Sequence, residues 1–169
     1  MRRVLQIVER NKAGQGIRFL NYAIDNLVIY VFFFVLGIVA VLMDEYLDIS
    51  FLLSIVDTMS EVNRFEDMLI TSFIYFLYVF LMEYFTNGRT IGKYITGTTT
   101  LMINGSLPNS KSYLIRTLVR SIPLEAFSFL GNNGWHDSWS DTRVVRIKDY
   151  EAALKLEKEM EMLGSTENF

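Results

Sequence analysis

A chain of 169 residues that is 51% hydrophobic, with 13 Phe, 9 Tyr and only 2 Pro, has the composition of a membrane core or of a very apolar globule. Its 16 Lys and Arg against 19 Asp and Glu leave a formal net charge of −3, so the total says little about partners and the distribution has to be read instead. With no cysteine, disulfide frameworks, thiolate zinc sites, thiol nucleophiles and cysteine-linked lipid anchors are excluded.

Residues 1–18 carry Arg2, Arg3, Arg10, Lys12 and Arg18 against Glu9 alone. Gly14-Gln15-Gly16 is no nucleotide signature, because no strand precedes it and an apolar run follows. That run, Leu20 to Met43, has 24 residues with Asp25 as its only charge. About 20 apolar residues cross a hydrocarbon core of roughly 30 Å, so a span is predicted over about residues 19–43. A secretory signal is the competing reading. Its apolar stretch would be shorter and would end in a small-residue cleavage site, whereas this one ends at Met43-Asp44-Glu45.

Residues 44–67 hold Asp44, Glu45, Asp48, Asp57, Glu61, Glu66 and Asp67 against Arg64. The second apolar run, Met68 to Met82, reaches spanning length when Glu83, Tyr84 and Phe85 are added, which predicts a span over about residues 67–85 ending in a carboxylate. A buried globular helix is the alternative, and aromatic residues on every face argue against it. Residues 86–124 then hold Arg89, Lys93, Lys111, Arg116 and Arg120 with no acid before Pro123. By the positive-inside rule the amino terminus and this basic segment are cytoplasmic and the acidic loop is outside. The expected location is a cell (inner) membrane, multi-pass, with a cytoplasmic carboxyl terminus.

In the basic segment, Thr98 to Thr100 lead through Leu101 and Ile103 into Asn104-Gly105, which predicts a short cytoplasmic β-hairpin with a tight turn. Asn104-Gly105-Ser106 matches a glycosylation acceptor, but a cytoplasmic loop never meets that machinery. Residues 112–130 are predicted as an interfacial or re-entrant helix. Leu114, Ile115, Leu118, Val119 and Ile122 recur at helical spacing, and Arg116 and Arg120 share a face suited to an anionic inner leaflet. Ile122 to Leu130 is too short to span and is interrupted by Pro123 and Glu125. A turn follows around Trp135, His136, Asp137 and Trp139. A lone histidine has no metal-site partner, and a catalytic dyad lacks a nucleophile; the plain reading is a turn in which Asp137 accepts backbone N–H groups and the tryptophans anchor at the interface. A β-like run at 143–147 and a charged, fraying helix from Asp149 close the chain, giving a membrane domain over 1–145 and a tail over 146–169.

Arg18 and Asp25 lie two helical turns apart on one face, about 10 Å along the axis. A charge inside a span costs about 2.5–3.5 kcal/mol by insertion scales, so Asp25 requires a partner, a proton or water. Glu83 ends the antiparallel second span at the same level. Arg18, Asp25 and Glu83 therefore form a candidate intramembrane cluster, either a site for a small cation or proton or a clasp that fixes helix packing.

The ordered set of Arg18-Phe19-Leu20 with Asp25, Glu83 followed by Gly88-Arg89-Thr90-Ile91-Gly92-Lys93, Arg116 with Arg120, and Trp135-His136-Asp137 running to Thr142-Arg143-Val144-Val145 resembles the RDD family of small multi-pass membrane proteins. The resemblance covers residues 17 to 145 and implies that Arg18, Asp25 and Asp137 are the name-giving arginine and two aspartates. It also implies that Thr90, Gly92, Lys93, Arg116, Arg120, His136 and Thr142 are motif positions, and it points to transport of an ion or other small ligand.

The expected fold is thus an all-α membrane protein with two transmembrane helices, an interfacial or re-entrant third helix and a short β-hairpin. Two function classes stand open: a component of ion or small-solute transport, which two spans could support only as a homo-oligomer or with a membrane-protein partner, and a non-catalytic accessory or assembly protein. A membrane-embedded enzyme ranks third; no cofactor, metal or nucleic acid is expected, and the bilayer is the expected surrounding partner.

Overall fold

The computed structural model describes residues 2–120, 137 and 139–166, with the side chains of residues 6–120, 137 and 139–163. In chain order it comprises α1 (Arg2–Arg10), α2 (Gln15–Leu47), α3 (Phe51–Glu61), α4 (Arg64–Phe85), α5 (Ile91–Thr96), β1 (Thr98–Met102), α6 (Ser110–Arg120), β2 (Thr142–Arg146) and α7 (Ile147–Thr166).

Two helices, α2 and α4, are long and apolar enough to cross a membrane. Only 11% of the most apolar window of α2 and 17% of that of α4 is buried inside the protein. A core helix of a soluble globule would hide most of such a stretch, so these surfaces suit lipid. Phe32, Phe34, Phe73 and Leu81 are among the apolar side chains left exposed along them.

What α2 does bury falls on one stripe: Arg18, Asn21, Asp25 and Ile29 recur at intervals of three and four residues. On α4 the matching stripe is Tyr75, Val79 and Glu83. Ile29 packs with Tyr75 and Val79, flanked by Tyr22, Phe33, Ile74 and Tyr78, as one apolar layer. Both stripes turn polar toward one end of the helix pair, and among the described residues the other buried charges gather there. At the far end Asp48 takes a left-handed conformation (φ 51°), and the chain turns back into α3, which packs against α2. Asn63 then starts α4 with a reciprocal capping box, its side chain accepting from the Phe65 and Glu66 amides while Glu66 accepts from the Asn63 amide.

Beyond α4, Thr90 caps the short α5 by accepting from the Lys93 amide. Gly92 is needed at its place: a Cβ there would lie 2.5 Å from the Asn21 carbonyl oxygen, so only glycine lets α5 seat on α2. Gly88 holds φ +90°, and a Cβ would come within 2.9 Å of the Thr100 carbonyl.

The expected hairpin is not formed. The Asn104-Gly105 turn exists, with Gly105 donating to the Met102 carbonyl at 2.8 Å, but no strand follows it. Instead β1 pairs antiparallel with β2, Thr98 opposite Arg146 and Met102 opposite Thr142. The reason is local chemistry: Ser106 folds onto the Asn104 side chain, and Pro108 lacks the N–H a return strand would need. The segment after α1 joins the other side of β2, Ala13 donating to the Val144 carbonyl at 2.7 Å. Val8, Leu101 and Val145 form a small second core that Tyr150 of α7 covers, so the charged tail begins docked on the sheet.

The first part of the predicted 112–130 helix is α6. Its orientation corrects the expectation: Arg116 and Arg120 point inward and are buried, while Leu114, Ile115 and Leu118 are exposed. Ile122 to Leu130, Trp135 and His136 lie outside the described residues.

Candidate functional site

Seven charged side chains meet where α2, α4, α5, α6 and β2 converge: Arg18, Asp25, Glu83, Lys93, Arg116, Arg120 and Asp137, none more than 5% exposed. The α2 and α4 stripes supply Asp25 and Glu83 from the two long helices. The Gly88–Lys93 segment brings Lys93 beneath Glu83, and α6 supplies both arginines from one face, four residues apart.

Glu83 is held entirely by cations. The Lys93 ammonium donates to its Oε1 at 2.6 Å, Arg116 Nε donates to its Oε2 at 3.3 Å, and Arg120 stands 3.6 Å away. Lys93 also donates to Thr100 Oγ1 and to the Gly88 carbonyl, which uses all three of its protons. Burial, with Arg116 and Arg120 close by, brings Lys93 down to about 8, although Glu83 opposes the shift. Arg116 bridges onward: it donates to Asp137 Oδ1 at 2.5 Å and to Thr142 Oγ1. Burial disfavours its charge, yet Glu83 and Asp137 outweigh this and raise its pKa. Arg18 then reaches Asp137 Oδ2 at 3.6 Å.

Asp25 is held differently, mostly by neutral donors. Thr90 Oγ1 donates to it at 2.7 Å, the Gly92 amide at 2.9 Å and the Tyr78 hydroxyl at 3.1 Å, with Arg120 3.8 Å away. The carboxylate thereby sits at the first turn of α5, where unpaired amides and the helix dipole favour a negative charge. One turn earlier on α2, Asn21 ties the same segment down through Thr96 and Thr98.

The structure thus brings Asp25 and Glu83 into one cluster with Arg120 between them, and Arg18 enters it through Asp137. Asp137, expected to serve a turn, is 1% exposed and receives Arg116; the rest of that turn lies outside the described residues. The leaflet-facing role expected for Arg116 and Arg120 is corrected, because buried carboxylates compete for a guanidinium more strongly than a hydrated headgroup layer does. Thr90, Gly92, Lys93 and Thr142 each touch a cluster member. Tyr78, Thr100 and Asn21 were missed. A signal existed for Tyr78 and Asn21, since each lies one turn or so from a cluster carboxylate on its own helix.

Chemically the arrangement can hold charges fixed, and it has little left with which to bind a cation. Among the described residues no group of three His, Cys, Asp or Glu side chains is placed to take a metal ion, because cations separate the carboxylates from one another. No curated protein and no solved structure matches the chain. The model of the RDD family matches residues 12–141, about three quarters of the length and all seven charged residues of the cluster, so the chain belongs to the RDD family of membrane proteins.

Proposed function

We propose that this RDD protein is a non-catalytic accessory or assembly component of a cell membrane, in which the buried cluster is a clasp that locks a cytoplasmic module onto the inner ends of two spans. One observation carries the reading: each carboxylate of the cluster is already taken by donors from other elements, three cations on Glu83, two on Asp137, and two hydroxyls, an amide and an arginine on Asp25. A cation relay would need carboxylate oxygens free to take the ion. The basic stretches flanking both spans support a cytoplasmic placement of α1, the sheet, α6 and α7, with the acidic loop outside. The extensive exposed faces of α2 and α4 support a homo-oligomer or a membrane-protein partner beside the lipid.

The test is Asp25→Asn, which keeps size and removes charge. For a clasp, thermal stability in detergent falls, and adding Arg120→Gln recovers part of the loss because the facing charge is removed too. Cation and proton flux through reconstituted vesicles is then absent from the wild type as well. A wild-type flux that Asp25→Asn abolishes at unchanged stability overturns the clasp in favour of transport. Because the chain has no cysteine, single cysteines at Ser50 and Ser165 can be labelled with an impermeant reagent on intact cells. Labelling at Ser50 alone is expected.

A further inference from the structure

Apart from the cluster, a cavity of about 500 Å³ opens between the α4–α5 connection, β1 and the start of α7; Arg89, Tyr94, Thr99, Leu107, Tyr150 and Glu151 are among its lining residues. It lies next to the last turn of α4, where Tyr84 and Phe85 are 47% and 74% exposed. Aromatic residues at the end of an apolar span mark the headgroup level of a bilayer. A volume of this size lies within the range of small-ligand sites.

Arg89 forms no ion pair among the described residues, and neither does Glu151. The two line one cavity without reaching each other. Arg89 is held in place by the Tyr94 ring, its guanidinium carbon 5.5 Å from the ring centroid. Its backbone carbonyl is fixed by the Thr86 hydroxyl. An oriented guanidinium fork suits a phosphate, and a carboxylate across the same cavity suits an ammonium that can donate N–H bonds.

We propose that this cavity binds the headgroup of an aminophospholipid, a phosphate ester carrying a primary ammonium, with the phosphate on Arg89 and the ammonium on Glu151. The lipid comes from the leaflet at the carboxyl-terminal end of α4, and the apolar lining residues Leu101, Leu107 and Leu154 take the first carbons of its acyl chains. The site lies outside the clasp and does not depend on it.

The full chain in mild detergent is titrated with dihexanoyl-phosphatidylethanolamine, -phosphatidylcholine and -phosphatidylglycerol, and with soluble glycerophosphoethanolamine, and bound species are counted by native mass spectrometry. The ethanolamine lipid is expected to bind at least about ten times more tightly than the choline lipid, whose quaternary nitrogen has no N–H to give, in line with the worth of a charged hydrogen bond. Arg89→Gln should weaken both about tenfold. Glu151→Gln should erase the preference for ethanolamine over choline while leaving the glycerol lipid bound as well or better. Both side chains stand away from the buried cluster, so melting temperatures without lipid should match the wild type. Equal binding of the ethanolamine and choline lipids by the wild type, or an Arg89→Gln protein that binds as before, overturns the proposal. So does glycerophosphoethanolamine binding as tightly as the lipid, which would make the ligand a soluble ester.

Discussion

The two ends of the helix pair are built on opposite principles. At the cluster end, five elements from across the sequence are fixed by seven buried charges, and moving any one of them leaves another unpaired. At the far end, α3 folds back on α2 without burying a single residue of its own, and its side chains bond only to their own turns. Between them lies one thin apolar layer. The difference teaches where the helix pair gets its register: lipid-facing surfaces cannot supply it, since hydrocarbon solvates Leu and Phe as well as a neighbouring helix does, so polar contacts must.

The sharpest way to break this contrast is Glu83→Leu. It removes the anion that faces Lys93, Arg116 and Arg120, and an uncompensated buried charge costs about 3–5 kcal/mol. The protein is expected to lose its monodisperse peak in detergent chromatography, and Glu83→Leu with Lys93→Met should regain part of it. A single variant that behaves like the wild type would mean that the cluster does not hold this end together.

A smaller effect is expected from Gly92→Ala. The new methyl must displace the Asn21 carbonyl or lift α5 away from Asp25, and overpacking of this kind costs about 1–3 kcal/mol. A melting temperature several degrees lower, with the secondary structure intact by circular dichroism, is the expected reading; an unchanged one would mean that α5 is not seated on α2.

A pH series sharpens the comparison without touching the fold. Lys93 falls from its usual 10.5 to about 8 in the folded protein, so between pH 8 and 10.5 the unfolded chain binds more protons there. Lys93 therefore adds stability as the pH rises through that window. Tyr113, raised to about 12 by burial and by Glu83, works the other way above pH 10, where the folded chain retains a proton the unfolded one loses. The wild type should gain on Lys93→Met between pH 8 and 10 in thermal melts. Parallel curves for the two would contradict it.

The smallest effect belongs to the far end. Asp57→Asn on α3 should change stability by less than about 0.5 kcal/mol, as surface substitutions usually do. A loss comparable to that of Gly92→Ala would show that the far end is as tightly specified as the near one.

Much of this was legible in the sequence, and the failures have a common origin. Apolar runs announce candidate spans because length and composition alone mark them, and the shared level of Asp25 and Glu83 follows from counting turns on two antiparallel helices. Nothing local reveals that Thr98 pairs with Arg146, because strand partners far apart in the chain are chosen by the whole fold; the Asn104-Gly105 signal was obeyed as a turn and misled only about what came after. The face of α6 was readable from its period, yet its direction was not. An amphipathic pattern is the same whether arginines look out at phosphates or in at carboxylates, and only the position of Glu83 and Asp137 decides between them. The motif positions on α5 and β2 could be noted but not joined, since Thr90 and Thr142 acquire meaning from the acids and arginines they touch. The helix α3 went unread beneath a loop defined by its acids.

The bonds around Asp25 also set a timetable. Its donors at Tyr78, Thr90 and Gly92, and the Asp137 that receives Arg18, are all made after α2; more than a hundred residues separate Arg18 from Asp137. At about 5–20 residues per second, Arg18 waits on the order of ten seconds for Asp137, and Asp25 a shorter time for its own donors. A charge in hydrocarbon is costly until its partners arrive, which favours keeping Arg18 and Asp25 near water during that interval. A stop in translation at the end of α4 would therefore leave the two long apolar helices with a charged stripe still open to any other protein that offers the missing partners.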